Sequence, residues 1–256
     1  MSDDRGTSAI LRVTLNLEMK RVLILQHMLH DGPAYLATWL QGQGIAFEVR
    51  NAALNEAFPQ DLNGFDGLAV LGGAMSANDP LAYLRDAERL ILQAMASAVP
   101  VIGHCLGGQL MARALGARIG ASPAPEIGWQ SLEVLDTPLA RDWLGPADQR
   151  HVMHWHYEAF ELPPGAQVLA RSTACPHQAF AIGPHLAMQF HIEIDHPKLQ
   201  RWLDEGDPSW HAALAMHAGS VQDKGAILST ASHHMSDHQA LADRIYARWV
   251  RGGASS

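Results

Sequence analysis

Residues 99–109 read Val-Pro-Val-Ile-Gly-His-Cys-Leu-Gly-Gly-Gln, and this stretch decides the fold. Its apolar beginning predicts a buried strand, and residues 109–115 predict a helix. A cysteine between glycines at such a strand-to-helix change has the Gly-x-Cys-x-Gly pattern of a nucleophile elbow. The tight turn would place Cys105 at the amino end of the helix, where the helix dipole favours a thiolate. The alternative is a structural cysteine, because free cysteines are usually small core residues.

Apolar runs and amphipathic stretches alternate on both sides of this elbow. The runs at 22–26, 45–49 and 68–71 predict strands, and helical spacing at 33–43 and 81–98 predicts helices between them. This alternation predicts an α/β fold whose mostly parallel open sheet is flanked by helices.

The second half of the chain has a different pattern, in which short extended runs are separated by Pro and Gly. These runs are 129–135, 166–170, 178–182 and 186–190. They predict a small antiparallel strand segment. Residues 197–256 predict a helical C-terminal extension. Residues 1–18 carry little pattern and predict a disordered leader, so that 19–256 would form a single domain.

Composition limits the classes of protein. Of the 256 residues, 48% are apolar and 17% are charged, which suffices for a globular core. A formal charge of −8 without any Lys/Arg run argues against a nucleic-acid partner. Two cysteines are too few for a disulfide scaffold and favour a reducing compartment. Neither a secretory signal nor a membrane-length apolar run is present, so we expect a soluble, cytoplasmic protein.

A thiol nucleophile needs a base, and residues 189–193 read Gln-Phe-His-Ile-Glu at the end of a predicted strand. Residues two apart in an extended segment project to the same side, so Glu193 can orient the ring of His191. A His-x-Glu pair is common by chance, and a structural role for it is equally compatible with this segment alone.

A second glycine turn, Gly72-Gly73, also follows a predicted buried strand. Sites in open α/β sheets gather at the carboxyl ends of strands. A backbone N–H from this turn and the N–H of Leu106 could therefore bind an oxyanion. An ordinary glycine turn is the simpler interpretation of this element by itself.

Together, these three elements resemble the class I glutamine amidotransferase family, and most closely the amidotransferase domain of the GMP-synthase group and its stand-alone forms. The family pattern Gly-x-Cys-x-Gly-x-Gln is met in full from Gly103 to Gln109. The family pattern Gln-Phe-His-Pro-Glu is met at 189–193, except that Ile192 replaces proline. The resemblance extends over residues 19–196 and implies a flavodoxin-like class I amidotransferase fold.

The resemblance implies a role for each matching residue. Cys105 would be the nucleophile, His191 the acid/base and Glu193 its orienting carboxylate, with the backbone amides of Gly73 and Leu106 as the oxyanion hole. The glutamine pocket would be lined by Gln109, His156, Tyr157 and Glu158. Tyr157 and Glu158 depart from the Gly and Asp usual there. The implied chemistry requires no cofactor.

The implied reaction is hydrolysis of the glutamine side-chain amide to glutamate and ammonia through a cysteine thioester. The ammonia would go to a separate synthase partner, or the chain would be a free-standing hydrolase of γ-glutamyl amines or peptides. A non-catalytic amidotransferase-like subunit is a further alternative. The sequence contains no Ser-Gly-Gly-x-Asp-Ser loop of a synthetase domain, so we do not expect it to make GMP alone. It indicates no oligomeric state.

A metal site is a rival interpretation because the chain has 15 histidines. One group comprises His151, His154 and His156. The other comprises His233, His234 and His238, of which the last two are spaced to share a helix face. Since no Glu-x-x-His pattern accompanies them, we expect no metal site.

Overall fold

The structure, a computed structural model, describes residues 19–252. The predicted leader 1–18 and the last four residues of the predicted extension lie outside the described residues. The described strands are β1 (Arg21–Gln26), β2 (Ala46–Asn51), β3 (Gly67–Val70), β4 (Val101–His104), β5 (Ile119–Val134), β6 (Gln149–Phe160), β7 (Gln167–Arg171), β8 (Ala179–Ile182) and β9 (His185–Met188). The described helices are α1 (Tyr35–Gly42), α2 (Ala82–Ala96), α3 (Leu106–Ala114), α4 (Pro138–Leu144), α5 (His196–Glu205), α6 (Trp210–Met216) and α7 (Lys224–Val250).

The described strands form one sheet in the order β2-β1-β3-β4-β9-β8-β7-β5-β6. The first five strands in this order are parallel, and the remaining pairings are antiparallel. The predicted α/β fold, with an open sheet that is flanked by helices and has a parallel and an antiparallel part, is therefore confirmed. The antiparallel part is larger than the small segment predicted, because it includes the long strands β5 and β6. Strands β2 and β3 lie on opposite sides of β1, so the order in which the chain adds strands to the sheet changes direction there. Open α/β sheets bind ligands at the carboxyl ends of the strands at such a point.

Helices cover both faces of the parallel strands. On one face, α2 buries Leu84, Leu90 and Ile91 along a single stripe, as its apolar spacing predicts, and packs beside α3. On the other face, α7 buries Tyr246 and Trp249 in a core shared with α1 and α4. The parallel strands thus lie between two layers of helices.

Two elements were not predicted from the sequence. Strand β6 escaped prediction because its inward positions include His154 and His156, and buried histidines interrupt the expected apolar alternation. Helix α4 is short, and Thr137 caps it by accepting a hydrogen bond from the Ala140 N–H.

Strand β5 is longer than predicted because it continues through an irregularity between Ala121 and Glu126.

The C-terminal region is helical, as predicted. It comprises α5, α6 and α7, and the first break coincides with Gly206 and Pro208. Among residues 19–252, no helix combines the length and the apolar character needed to cross a bilayer.

Candidate active site

Cys105 occupies the sharp turn between β4 and α3. Its backbone has φ 48° and ψ −107°, a strained conformation for a residue with a side chain. The Cys105 N–H donates to the Met188 carbonyl across 2.9 Å, which ties the turn to β9. A Cβ at Gly107 would lie 2.0 Å from the Val70 carbonyl oxygen, so only glycine allows this close approach. These contacts hold the sulfur at the amino end of α3.

His191 lies just beyond β9, where its N–H donates to the Met153 carbonyl across 2.9 Å. Its ring Nδ1 is 2.8 Å from Glu193 Oε1, and Nε2 has no hydrogen-bond partner among the described residues. Gly72 lies between this ring and Cys105: a Cβ there would be 2.9 Å from His191 Cε1 and 3.7 Å from Cys105 Cβ. The His191 ring and the Cys105 side chain therefore both lie beside Gly72.

The charges around His191 and Glu193 favour a protonated His191 ring, an imidazolium. Burial alone would lower the pKa of His191, but the Glu193 carboxylate and Cys105 raise it to about 10. Burial alone would raise the pKa of Glu193, but Lys198, His191 and His104 hold it well below its usual value. The carboxylate thus stays ionised beside a ring that retains its proton at neutral pH.

Cys105 and His191 border one cavity of about 530 Å³ at the carboxyl ends of the parallel strands. Its walls come from the segment after β1, the glycine turn after β3, strand β6, and α5 with the residues that follow it. The size falls within the range of small-molecule sites. All four of the predicted pocket residues line it: Gln109, His156, Tyr157 and Glu158.

The two predicted oxyanion donors lie together beside this cavity. A Cβ at Gly73 would approach the side-chain atom Leu106 Cδ2 to 2.9 Å, so the two residues are neighbours. Neither N–H donates to a protein acceptor within the described part of the chain. Two N–H groups that the protein leaves free near a thiol could bind an oxyanion.

Gln109 connects the elbow helix to β6. Its Nε2 donates to the Glu158 carbonyl across 3.0 Å and to Gln189 Oε1 across 3.3 Å. Gln189 Nε2 in turn lies 3.6 Å from Cys105 Sγ. Gln109 therefore holds the wall of the cavity in place, and its amide is already engaged within the protein.

The β6 residues occupy different parts of the wall. His156 Nε2 is 3.1 Å from Glu126 Oε2, and Nδ1 is 3.2 Å from the Glu158 carbonyl oxygen. Tyr157 donates its hydroxyl to Asp207 across 2.8 Å, and burial together with Asp207 raises the pKa of Tyr157. The tyrosine at the position where the family has glycine thus ties β6 to the segment after α5.

Three residues at the site were not predicted from the sequence, namely Lys198, Asp31 and Trp202. Lys198 Nζ contacts Glu193 Oε1 at 3.2 Å, and Asp31 and Trp202 line the cavity. Asp31 follows β1, and its place after a predicted parallel strand was an available signal. A lysine on an amphipathic helix is normally a solvent-facing residue, so the sequence offered no signal for Lys198.

The buried group Glu126, His154 and His156 has its ligand-type atoms within 4.8 Å of one another. Glu126 Oε2 already accepts hydrogen bonds from His156 Nε2 and Gln178 Nε2. Burial lowers the pKa of His154 to about 3, which keeps this ring neutral. We interpret Glu126 and His156 as a hydrogen-bonded pair that joins β5 to β6. The neutral His154 ring is buried beside them, and neither of its nitrogens has a hydrogen-bond partner among the described residues.

The second histidine group lies along α7. His234 stacks on His151 with ring centroids 4.8 Å apart, whereas His238 is buried against Trp129 at 5.2 Å. These side chains are not among the described residues that line the cavity.

Cys175 contrasts with Cys105. It is 1% exposed, and its Sγ lies 3.6 Å from the His177 carbonyl oxygen. Burial raises the pKa of the Cys175 thiol to about 11, so this sulfur stays protonated and unreactive at neutral pH.

Comparison with known proteins agrees with this geometry. The family model described as Glutamine amidotransferase class-I matches residues 40–204. The glutamine amidotransferase-like protein YfeJ of Salmonella typhimurium is 32% identical over 89% of this chain and 95% of its own length. A glutamine-hydrolyzing GMP synthase of Aeropyrum pernix is 32% identical over 66% of this chain, which spans only 33% of the synthase. A solved glutamine amidotransferase structure from Methylobacillus flagellatus superposes with a TM-score of 0.85 at 34% identity, covering 93% of this chain and 97% of that one.

Proposed function

The chain belongs to the class I glutamine amidotransferase family, and we propose that it hydrolyses the side-chain amide of glutamine through a thioester on Cys105. One observation carries the proposal: a strained cysteine and a histidine fixed by a buried glutamate border the same cavity. Nucleophile, base and orienting group are the parts that acyl transfer requires.

In the proposed reaction, His191 takes the proton of Cys105, and its raised pKa favours the imidazolium–thiolate pair. The thiolate attacks the γ-carbonyl carbon, and the Gly73 and Leu106 amides bind the oxyanion that forms. The imidazolium then protonates the leaving nitrogen, so that ammonia departs and the thioester remains. His191 next activates a water molecule, which releases glutamate and restores the thiol.

The fate of the ammonia separates two versions of this proposal. The match to one third of a GMP synthase supports transfer to a separate synthase partner. A cavity of about 530 Å³ supports a free-standing hydrolase of γ-glutamyl amines, because a substituent on the amide nitrogen would also need space. Both versions use the same triad. Since the thiol must stay reduced, we propose a cytoplasmic setting.

The deciding experiment measures glutamate release from glutamine and from a series of γ-glutamyl amines, with no partner added. Wild-type protein should release glutamate, and Cys105→Ala should not, while Cys175→Ala serves as the matched control with near wild-type rates. Faster release from γ-glutamyl amines than from glutamine would favour the free-standing hydrolase. Equal release by wild type and Cys105→Ala would reject the catalytic proposal and leave the non-catalytic subunit.

A further inference from the structure

Lys198 is an unusual residue for its position because its side chain is buried, with 2% of the residue exposed. Its Nζ lies 2.8 Å from Asp31 Oδ1 and 3.2 Å from Glu193 Oε1, and it donates to the Gly32 carbonyl across 2.9 Å. These three contacts match the three donors of an ammonium group. The ammonium is therefore fully engaged in one fixed place.

Burying an ammonium group is costly unless its charge is paired. Burial alone would lower the pKa of Lys198, but Asp31 and Glu193 raise it above its usual value. Lys198 therefore remains a cation between two carboxylates. One of these carboxylates orients His191, so the charge of Lys198 acts on the catalytic pair.

The other carboxylate leads to the cavity wall. Asp31 Oδ1 accepts a hydrogen bond from Trp202 Nε1 across 3.0 Å. The Trp202 ring packs edge-on against the His191 ring with centroids 4.6 Å apart, and Lys198 Nζ lies 5.3 Å from the centre of the Trp202 ring. Asp31 and Trp202 both line the cavity. The His191 ring therefore contacts Glu193 and Trp202, and Lys198 lies next to both of these residues.

We propose that Lys198 is a positioning residue of the active site, which keeps the Glu193 carboxylate ionised and aimed at His191 Nδ1. This inference rests on the proposed function of the triad. Lys198 and His191 share the single oxygen Oε1 of Glu193, so the carboxylate cannot rotate without breaking both contacts. The other oxygen, Oε2, has no hydrogen-bond partner among the described residues.

Five titratable groups surround Glu193. They are His191 beside it, His104 from β4, Lys198 from α5, and His238 and Tyr246 from α7. His104 Nε2 is 4.0 Å from Glu193 Oε2, and burial lowers its pKa to about 4, so it is neutral at pH 7. Burial likewise lowers the pKa of His238 to about 4, and burial raises that of Tyr246. Lys198 is therefore the cation in this set whose charge the proposed reaction leaves unchanged, whereas His191 gains and loses its proton.

Loss of this cation should let Glu193 take up a proton at higher pH. A protonated Glu193 no longer stabilises the imidazolium, so activity would fail at a higher pH than in wild type. Lys198→Met keeps most of the side-chain length and removes the charge. We expect kcat to fall about ten- to hundredfold with KM little changed, which is the size of effect typical when a group that orients a functional side chain is removed. The acidic limb of the kcat profile should move up by about one pH unit or more.

Lys198→Met alone leaves Asp31 buried without its cation, and this unpaired charge lowers stability whether or not Lys198 acts on the catalytic pair. The double variant Lys198→Met/Asp31→Asn removes both charges and keeps an oxygen acceptor for Trp202. We expect it to regain thermal stability but to keep the shifted acidic limb. A double variant with wild-type kcat and a wild-type pH profile would overturn the proposal.

A second readout does not depend on turnover. The NMR titration of the His191 ring should show the protonation of Glu193 at higher pH in the double variant than in wild type. An unchanged titration would contradict the positioning role even if activity fell. If wild-type protein released no glutamate but the titration moved, the proposed reaction would fail while the role of Lys198 would stand.

Discussion

Two buried histidine–glutamate pairs lie at the cavity, since the histidine of each, His191 and His156, lines it. The His191–Glu193 pair is joined across 2.8 Å and the His156–Glu126 pair across 3.1 Å. Both nitrogens of His156 are engaged, since Nδ1 also contacts the Glu158 carbonyl oxygen. The Nε2 of His191 has no partner in the described chain, and Cys105 lies next to this ring.

We propose that this difference separates a catalytic pair from a structural one. A histidine can exchange a proton with a substrate or a nucleophile only through a nitrogen that the protein leaves free. Glu126 and His156 therefore shape the wall, whereas Glu193 and His191 perform the proposed chemistry.

Cys105→Ala should produce the largest effect. Without the sulfur no thioester can form, and we expect glutamate release to fall by about 10⁴-fold or more. The fold should persist because the thiol is small, so circular dichroism should match wild type. Residual rates above one hundredth of wild type would contradict the role of Cys105.

Glu193→Gln should produce the next largest effect, because an amide of the same shape cannot stabilise the imidazolium. By comparison with other triads, kcat should fall about 10²- to 10⁴-fold. The wild-type pKa of His191 is raised to about 10, so the ring keeps its proton at neutral pH. In the variant, NMR should show this proton lost at lower pH.

The same pair of groups affects stability with a defined sign. A raised His191 pKa contributes stability that is complete below the ordinary histidine value near 6.5 and is lost as pH rises toward about 10. Glu193→Gln should therefore reduce the free energy of unfolding most at weakly acidic pH. An equal loss at pH 6 and pH 10 would contradict this coupling.

Glu126→Gln is the matched change in the structural pair. The amide cannot satisfy both Gln178 and His156 as the carboxylate does, and we expect a loss of about 1–3 kcal/mol in the free energy of unfolding. Urea denaturation measures this loss. Glutamate release should fall by about tenfold at most, which is far less than for Glu193→Gln. A larger loss of kcat would place Glu126 in the chemistry.

Tyr157→Phe should have the smallest effect. It removes one hydroxyl donated to Asp207, which is worth about 1 kcal/mol. We expect KM to rise about fivefold with kcat unchanged, because the loosened wall affects binding and not the reacting groups. Steady-state kinetics with saturating substrate separates the two parameters, and a fall in kcat alone would contradict this assignment.

The sequence predicted those parts of the site that lie in short contiguous motifs. The elbow at Cys105 and the His191-x-Glu193 segment each follow a strand, so local pattern and strand direction sufficed. Lys198 was missed because its proposed role depends on a contact with Asp31, which is far away in the chain. Asp31 itself follows a predicted strand, and that position was a signal that the sequence offered. Strand β6 was missed because its buried histidines have partners, such as Glu126, that only the folded sheet brings near.

The central claim is that Cys105, and not Cys175, is the reactive nucleophile. Reaction with an electrophilic glutamine analogue, followed by peptide mass spectrometry, tests this claim directly. We predict a single adduct on Cys105 that forms with loss of activity and is prevented by excess glutamine. An adduct on Cys175, or labelling of Cys105 that leaves activity intact, would contradict it.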